Sequence, residues 1–187
     1  MCYYITATLP KETKVEALRQ ILDKYEMAFQ PLNNKSVKKQ LRQSEQYFRA
    51  TKSYCDCDNV LGSLSTNRRQ ASLMESKKVK NLRKKGWTEE EIEDWVKDKI
   101  AKKKIKVGRK LWPELIDTEA TKWIEFIQEL LHTKNISHIG LLKHWYTGGL
   151  ESAEIEIKEK KKIDVQNINV ELISHIDEDI LYEFFSK

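Results

Sequence analysis

Glycine, proline and cysteine are all scarce in this chain: six, three and three residues among 187. There is no Walker-type glycine-rich loop, no Gly-x-Ser-x-Gly and no His-Glu-x-x-His, so nucleotide cradling, the serine-hydrolase elbow and zincin chemistry have no motif to rest on. No apolar run approaches the ~18 residues of a membrane span. The opening Met-Cys-Tyr-Tyr-Ile-Thr-Ala-Thr-Leu-Pro lacks a basic n-region, and its apolar character stops at Pro10, so it does not read as a signal peptide. A cytoplasmic protein without membrane partners is expected. In that setting an odd number of cysteines predicts reduced thiols, to be read as buried side chains, ligands or nucleophiles before staples. Internal repeats and low-complexity tracts are also absent.

What the chain has in abundance is charge. Asp, Glu, Lys and Arg make up 34% of it, against about 25% in ordinary globular proteins. Apolar residues make up 40%, and the net charge is +5. That charge is unevenly placed, for Asn67 to Lys110 hold 16 Lys or Arg against 7 Asp or Glu, while the flanks are mildly acidic. A small core under a charged surface, with a basic middle, follows.

Cys2 to Leu9 are rich in aromatic and β-branched residues and predict a strand, with Tyr3, Ile5, Ala7 and Leu9 on the core face and Cys2 on the other. Val15, Leu18, Ile21, Leu22 and Tyr25 recur at helical spacing, which predicts a helix over 12–25. Extended segments are expected at 27–32 and 46–51. The segment Ser53 to Ser65 then carries Cys55 and Cys57 at a strand end or in a loop.

Past Ser65, Ala71, Met74, Val79 and Leu82 form the inner stripe of a basic helix ending near Gly86. Thr88 with Glu91 is a capping box, and Trp87 before it is placed to staple on Ile92, giving a helix over 89–104. A third helix, capped by Asp117 or Thr118, buries Ala120, Trp123, Ile124, Ile127, Leu130 and Leu131. Two β-prone runs, 136–146 and 151–158, flank Gly148-Gly149 and read as a hairpin. The Lys158 to Lys162 run suits a charged edge, and the apolar residues near the C-terminus should dock on the core.

These elements predict an α+β fold: one small mixed or antiparallel sheet with a strand-helix-strand-strand start and a C-terminal hairpin. Residues 1–65 and 135–187 would form that domain, and 66–134 a basic, mostly helical insertion.

Cys55 and Cys57 are two apart, so in extended backbone both sulfurs share a face with Cα atoms about 6.6 Å apart. That lies at the strained end of the ~4.4–6.8 Å disulfide range. Pinching a metal is easier, and zinc, with Cys2 as third ligand and His138 as fourth, is the candidate centre. His144 shares the parity of His138 in its strand.

A Met-Cys start running into a strand resembles the opening of N-terminal-nucleophile enzymes such as class II glutamine amidotransferases, and of proteins that trap abasic DNA through an N-terminal cysteine. The resemblance covers about the first nine residues. It implies Cys2 as nucleophile, with a free α-amine as its base; the Asn-Gly pair such amidotransferases use as oxyanion donor is absent here, and Asn59 with Gly62 is a loose substitute for it.

The basic middle offers Arg68, Arg69, Lys77, Lys78, Lys80, Arg83, Lys84 and Lys85 on one helix, and Lys102, Lys103, Lys104, Lys106, Arg109 and Lys110 after the next. Packed as a hairpin, they would engage nucleic-acid phosphates, or an acidic protein, without reading bases. The expected function is therefore a cytoplasmic binding protein with a structural or zinc-binding thiol cluster. An N-terminal-cysteine hydrolase is the alternative.

Overall fold

The fold is α+β, built on a six-stranded mixed sheet. The computed structural model describes residues 2–57, 59–63, 73–106, 112–133 and 135–186, with side chains except in 63, 100–106 and 112–116. Ala71 of the basic helix's expected inner stripe lies outside the described residues. Two compact units are formed, the first by 1–64 with 117–187 and the second by 65–116.

In the first unit, β1 (Cys2–Pro10) is followed by a 3₁₀ turn at Val15–Leu18 and a short α1 (Arg19–Lys24). Then come β2 (Met27–Pro31), α2 (Lys35–Lys38), β3 (Glu45–Thr51) and α3 (Val60–Ser63). The helix expected over 12–25 is thus split, yet its Leu18, Leu22 and Tyr25 are buried as the spacing required. The second unit holds α4 (Lys77–Lys84) and α5 (Glu89–Lys106). The long α6 (Trp112–His132) begins earlier than its expected cap, because Pro113 sits in the first turn, where a missing N–H costs nothing. β4 (His138–Tyr146), β5 (Glu159–Asp164), α7 (Val170–Ser174) and β6 (Ile180–Phe185) complete the chain.

The strand order is β2-β3-β1-β4-β6-β5, antiparallel except for the β5–β6 pair. β1 is central, and both of its faces are buried. On the face of Ile5, Ala7 and Leu9, Phe126 of α6 meets Tyr25 and Phe29, and Phe29 in turn meets Phe48. By this packing the helix expected in the insertion lies, from Asp117 on, against the sheet. On the opposite face Tyr47, Leu142, Tyr146 and Leu181 pack with Val37 of α2 and with Ile155.

The second run of the expected hairpin is not a strand. Residues 151–157 are turn and irregular backbone, and β4 pairs with β1 and β6 instead. Side chains of the α2 region take the place of a neighbouring strand. Ser36 Oγ donates to Ile155 O at 2.8 Å and accepts from Ile155 N at 3.0 Å, while Ile157 N donates to Gln40 Oε1 at 2.8 Å. Asn34 Nδ2 holds the carbonyls of Leu150 and Ala153 at 2.9 and 2.8 Å. The alternation of Ala153, Ile155 and Ile157 was a true burial signal, since all three pack into that cluster, but its backbone is satisfied outside the sheet. From Lys160 on, the lysine run falls on β5, the edge strand paired to β6 alone.

Among the described residues no helix is long and apolar enough to cross a membrane.

Candidate functional site

β1 is longer than its partner on the β3 side. β3 pairs only with Thr6 to Pro10, whereas β4 pairs with Cys2 to Thr8. At Cys2 to Ile5 the loop after β3 turns back and continues the ladder with one backbone N–H and two side-chain acceptors. Asp56 N donates to Tyr3 O at 2.9 Å, Tyr3 N donates to Cys57 Sγ at 3.3 Å, and Ile5 N donates to Asp56 Oδ2 at 2.8 Å.

Asp56 is fully buried and organises this loop. Besides Ile5 N, its carboxylate accepts from Thr51 Oγ1 at 3.0 Å and from Asn59 Nδ2 at 2.9 Å. Burial nevertheless pushes its carboxyl above the usual aspartate value, against those hydrogen bonds and the nearby Arg49 charge. Asn59 caps α3, its Oδ1 accepting from Gly62 N at 2.9 Å. Gly62 is required by close approach, for a Cβ there would stand 1.8 Å from Asp56 O.

This loop brings the three cysteines together. The sulfurs of Cys2, Cys55 and Cys57 lie within 4.8 Å of one another, each residue half-buried and each a free thiol. Burial pushes the Cys57 thiol up to about 11, with Cys55 and Cys2 adding to the rise against the Tyr3 N–H. Tetrahedral zinc with Zn–S near 2.3 Å needs sulfurs about 3.8 Å apart. The spacing suits three thiolates around one ion, and an N–H donated to a thiolate is how such sulfurs are commonly oriented.

The remaining expected residues fall elsewhere. His138 is at the far end of β4, opposite Phe185, with Nε2 3.1 Å from Glu45 Oε1. Tyr146, the residue facing Cys2, is eight positions further along β4, about 26 Å at strand rise, so His138 cannot share an ion with Cys2. The amide of Asn59, expected as an oxyanion donor, is spent on Asp56 and Gly62. Asp58, next to Cys57, lies outside the described residues, as do Arg68, Arg69, Arg109 and Lys110. Lys102, Lys103, Lys104 and Lys106 are on α5, but their side chains are outside the described set. Lys77, Lys78, Lys80, Arg83 and Lys84 are exposed on α4, with Lys85 at its C-cap.

One cluster escaped sequence reasoning altogether. His144 Nδ1 lies 2.5 Å from Asp179 Oδ1, and Lys158 Nζ holds Asp179 Oδ2 at 2.8 Å. Burial pushes the Asp179 carboxyl up, but His144 and Lys158 outweigh it and hold the group below its usual value. Glu178 joins the group and accepts from Trp145 N at 3.2 Å. Positions 35 apart in sequence carry no local signal for this meeting. Asp179 has φ 65°, a left-handed backbone that a sequence pattern does not announce.

No family model, curated protein or solved structure matches the chain.

Proposed function

We propose that this chain is a metal-thiolate binding protein: Cys2, Cys55 and Cys57 hold one zinc ion, which ties the start of β1 to the loop leaving β3, and the basic helical unit contacts nucleic acid. The single observation that carries the metal reading is the convergence of three free thiols within 4.8 Å, Cys2 meeting the Cys55–Cys57 pair across more than 50 residues of sequence. Such convergence suits a soft or borderline ion with sulfur ligands rather than an oxygen-seeking one. Three thiols available as ligands rather than tied in disulfides fit a reducing compartment such as the cytoplasm.

The nucleic-acid half is supported by the exposed lysines of α4. A hydrolase using Cys2 has less support, because two thiols crowd that sulfur and the Asn59 amide is committed elsewhere.

Elemental analysis of protein purified without chelator tests the metal reading. About one zinc per chain is expected, falling several-fold in Cys55→Ser and in Cys57→Ser. Metal-free wild-type protein that also fails to take up added zinc refutes it.

A further inference from the structure

The second unit contains a local arrangement that the basic composition alone does not explain. Val79, Ile92 and Val96 form its small core, with Leu73, Met74, Leu82 and Trp95 packed around them. Trp87, by contrast, is 40% exposed. It is also held from both sides. On the α4 side, Gly86 takes φ 82°, Gly86 N donates to Arg83 O at 3.1 Å, and Trp87 N donates to Leu82 O at 3.2 Å. That pair of bonds is a Schellman motif with Trp87 as the residue after the glycine. On the α5 side the capping box begins at the very next residue. Thr88 N donates to Glu91 Oε2 at 2.8 Å, and Glu91 N donates to Thr88 Oγ1 at 3.2 Å. An indole whose flanking backbone is fixed by two caps loses little freedom when something stacks on it.

The charges around it are sorted. Lys77, Lys80 and Lys84 are spaced three and four apart on the solvent side of α4, opposite buried Val79, and Lys85 follows at the cap. They span about 10 Å of helix. None of these four makes an ion pair among the described residues. The acids that follow Trp87 are largely engaged: Glu89 is held by Arg83 through two contacts of 2.7 and 2.9 Å, Glu91 serves the cap, and Lys97 covers Asp94 at 3.2 Å. Glu90 keeps the α5 side unfavourable for phosphates, which directs a polyanion along α4.

We infer that Trp87 is a stacking platform for an unpaired base, and that Lys80, Lys84 and Lys85 hold the adjoining phosphates, so the ligand of this unit is single-stranded nucleic acid. An exposed aromatic beside a lysine track is the arrangement single strands need, because their bases are free to leave the stack and each has a face to offer. A duplex keeps its bases inside and would use the lysines alone. This rests on the nucleic-acid half of the proposed function and is independent of the thiol centre.

Fluorescence anisotropy of the full chain with a labelled oligothymidylate of about 15 nucleotides tests it, across a salt series. Expected is saturable binding at low salt, weakened about 5- to 150-fold by Trp87→Ala and largely kept by Trp87→Tyr. Lys80→Gln with Lys84→Gln should flatten the salt slope by about 1.4, at ~0.7 per phosphate contact on a single strand. A duplex of the same length should bind more weakly and ignore Trp87→Ala. Circular dichroism checks that each variant keeps its helices. Wild-type binding that Trp87→Ala leaves unchanged overturns the stacking platform while the nucleic-acid reading stands. No binding to single strands at low salt overturns both. Competition by polyglutamate as effective as by unlabelled oligothymidylate overturns the single-strand assignment in favour of an acidic protein partner.

Discussion

Lys143 is the residue at which the sheet carries an electrostatic cost that can be measured. It lies on β4 opposite Ile5 and is only 3% exposed. Its ammonium donates to Ile176 O and sits 5.9 Å from the centre of the Tyr3 ring. Burial lowers its pKa from the ordinary 10.5 to about 8, with the charges of Asp177 and Glu178 only partly opposing the fall. At ~1.4 kcal/mol per pH unit, holding that proton in the folded state costs about 3 kcal/mol. The direction is fixed by proton counting: between about pH 8 and 10.5 the unfolded chain binds the proton and the folded chain does not. Stability therefore rises with pH through that window, and the cost is fully present at pH 7. Lys143→Met keeps the length and removes the charge. It should stabilise the protein by up to about 3 kcal/mol at neutral pH, or roughly 6–12 °C in melting temperature for a chain of this size. Urea denaturation of both proteins at pH 7, 8, 9 and 10 is the assay, because the difference cancels titrating groups remote from Lys143. The advantage of Met should shrink steadily toward pH 10.5. An advantage that stays constant across pH, or a variant less stable than wild type at pH 7, refutes the reasoning.

Two further substitutions probe the parts of the chain that carry the proposals. Gly62→Ala forces a Cβ to within 1.8 Å of the Asp56 carbonyl, which must displace the loop. Expected are a loss of more than ~2 kcal/mol in urea denaturation and a faster reaction of Cys57 with iodoacetamide, because a displaced loop relieves the burial that raises its pKa. Thr88→Ala removes one half of the capping box and should cost about 1 kcal/mol, read by hydrogen exchange confined to α4 and α5.

Periodicity carried most of the fold. The Thr88–Glu91 box was legible because both halves of a cap lie within four residues, and the strand at Cys2–Leu9 because its residue types suit a pleated surface. The sequence also suggested that Cys2 would approach Cys55 and Cys57, but only as geometry conditional on strand order. Ile155 misled for a physical reason: alternation reports which side chains are buried, not where the backbone finds its hydrogen bonds, and here Ser36 and Gln40 supplied them. Asp56 carried no structural signal in the sequence, because an Asp between two cysteines has the composition of a turn. Its burial follows from the register of β1, which leaves Ile5 N without a strand partner on that side, and register is set by pairings 35 to 43 residues away. The His144–Asp179 pair was illegible on the same ground.

That unfilled half-ladder also explains why the thiols meet where they do. A central strand extending past its neighbour exposes N–H and C=O groups that have to be answered, and an edge of this kind is a liability if left open. Asp56 answers Ile5 N with a carboxylate and Tyr3 O with its own N–H, and Cys57 answers Tyr3 N with sulfur. Sulfur is a weak acceptor, so a thiol at this position completes the ladder less well than an oxygen would. A thiolate is the better acceptor, because a charged partner shortens and strengthens the bond. Zinc at the three sulfurs would keep Cys57 in that form, since coordinating thiols are deprotonated. Metal binding would then strengthen the closing of β1, because the Tyr3 N–H to Cys57 Sγ bond already present would have a thiolate as its acceptor.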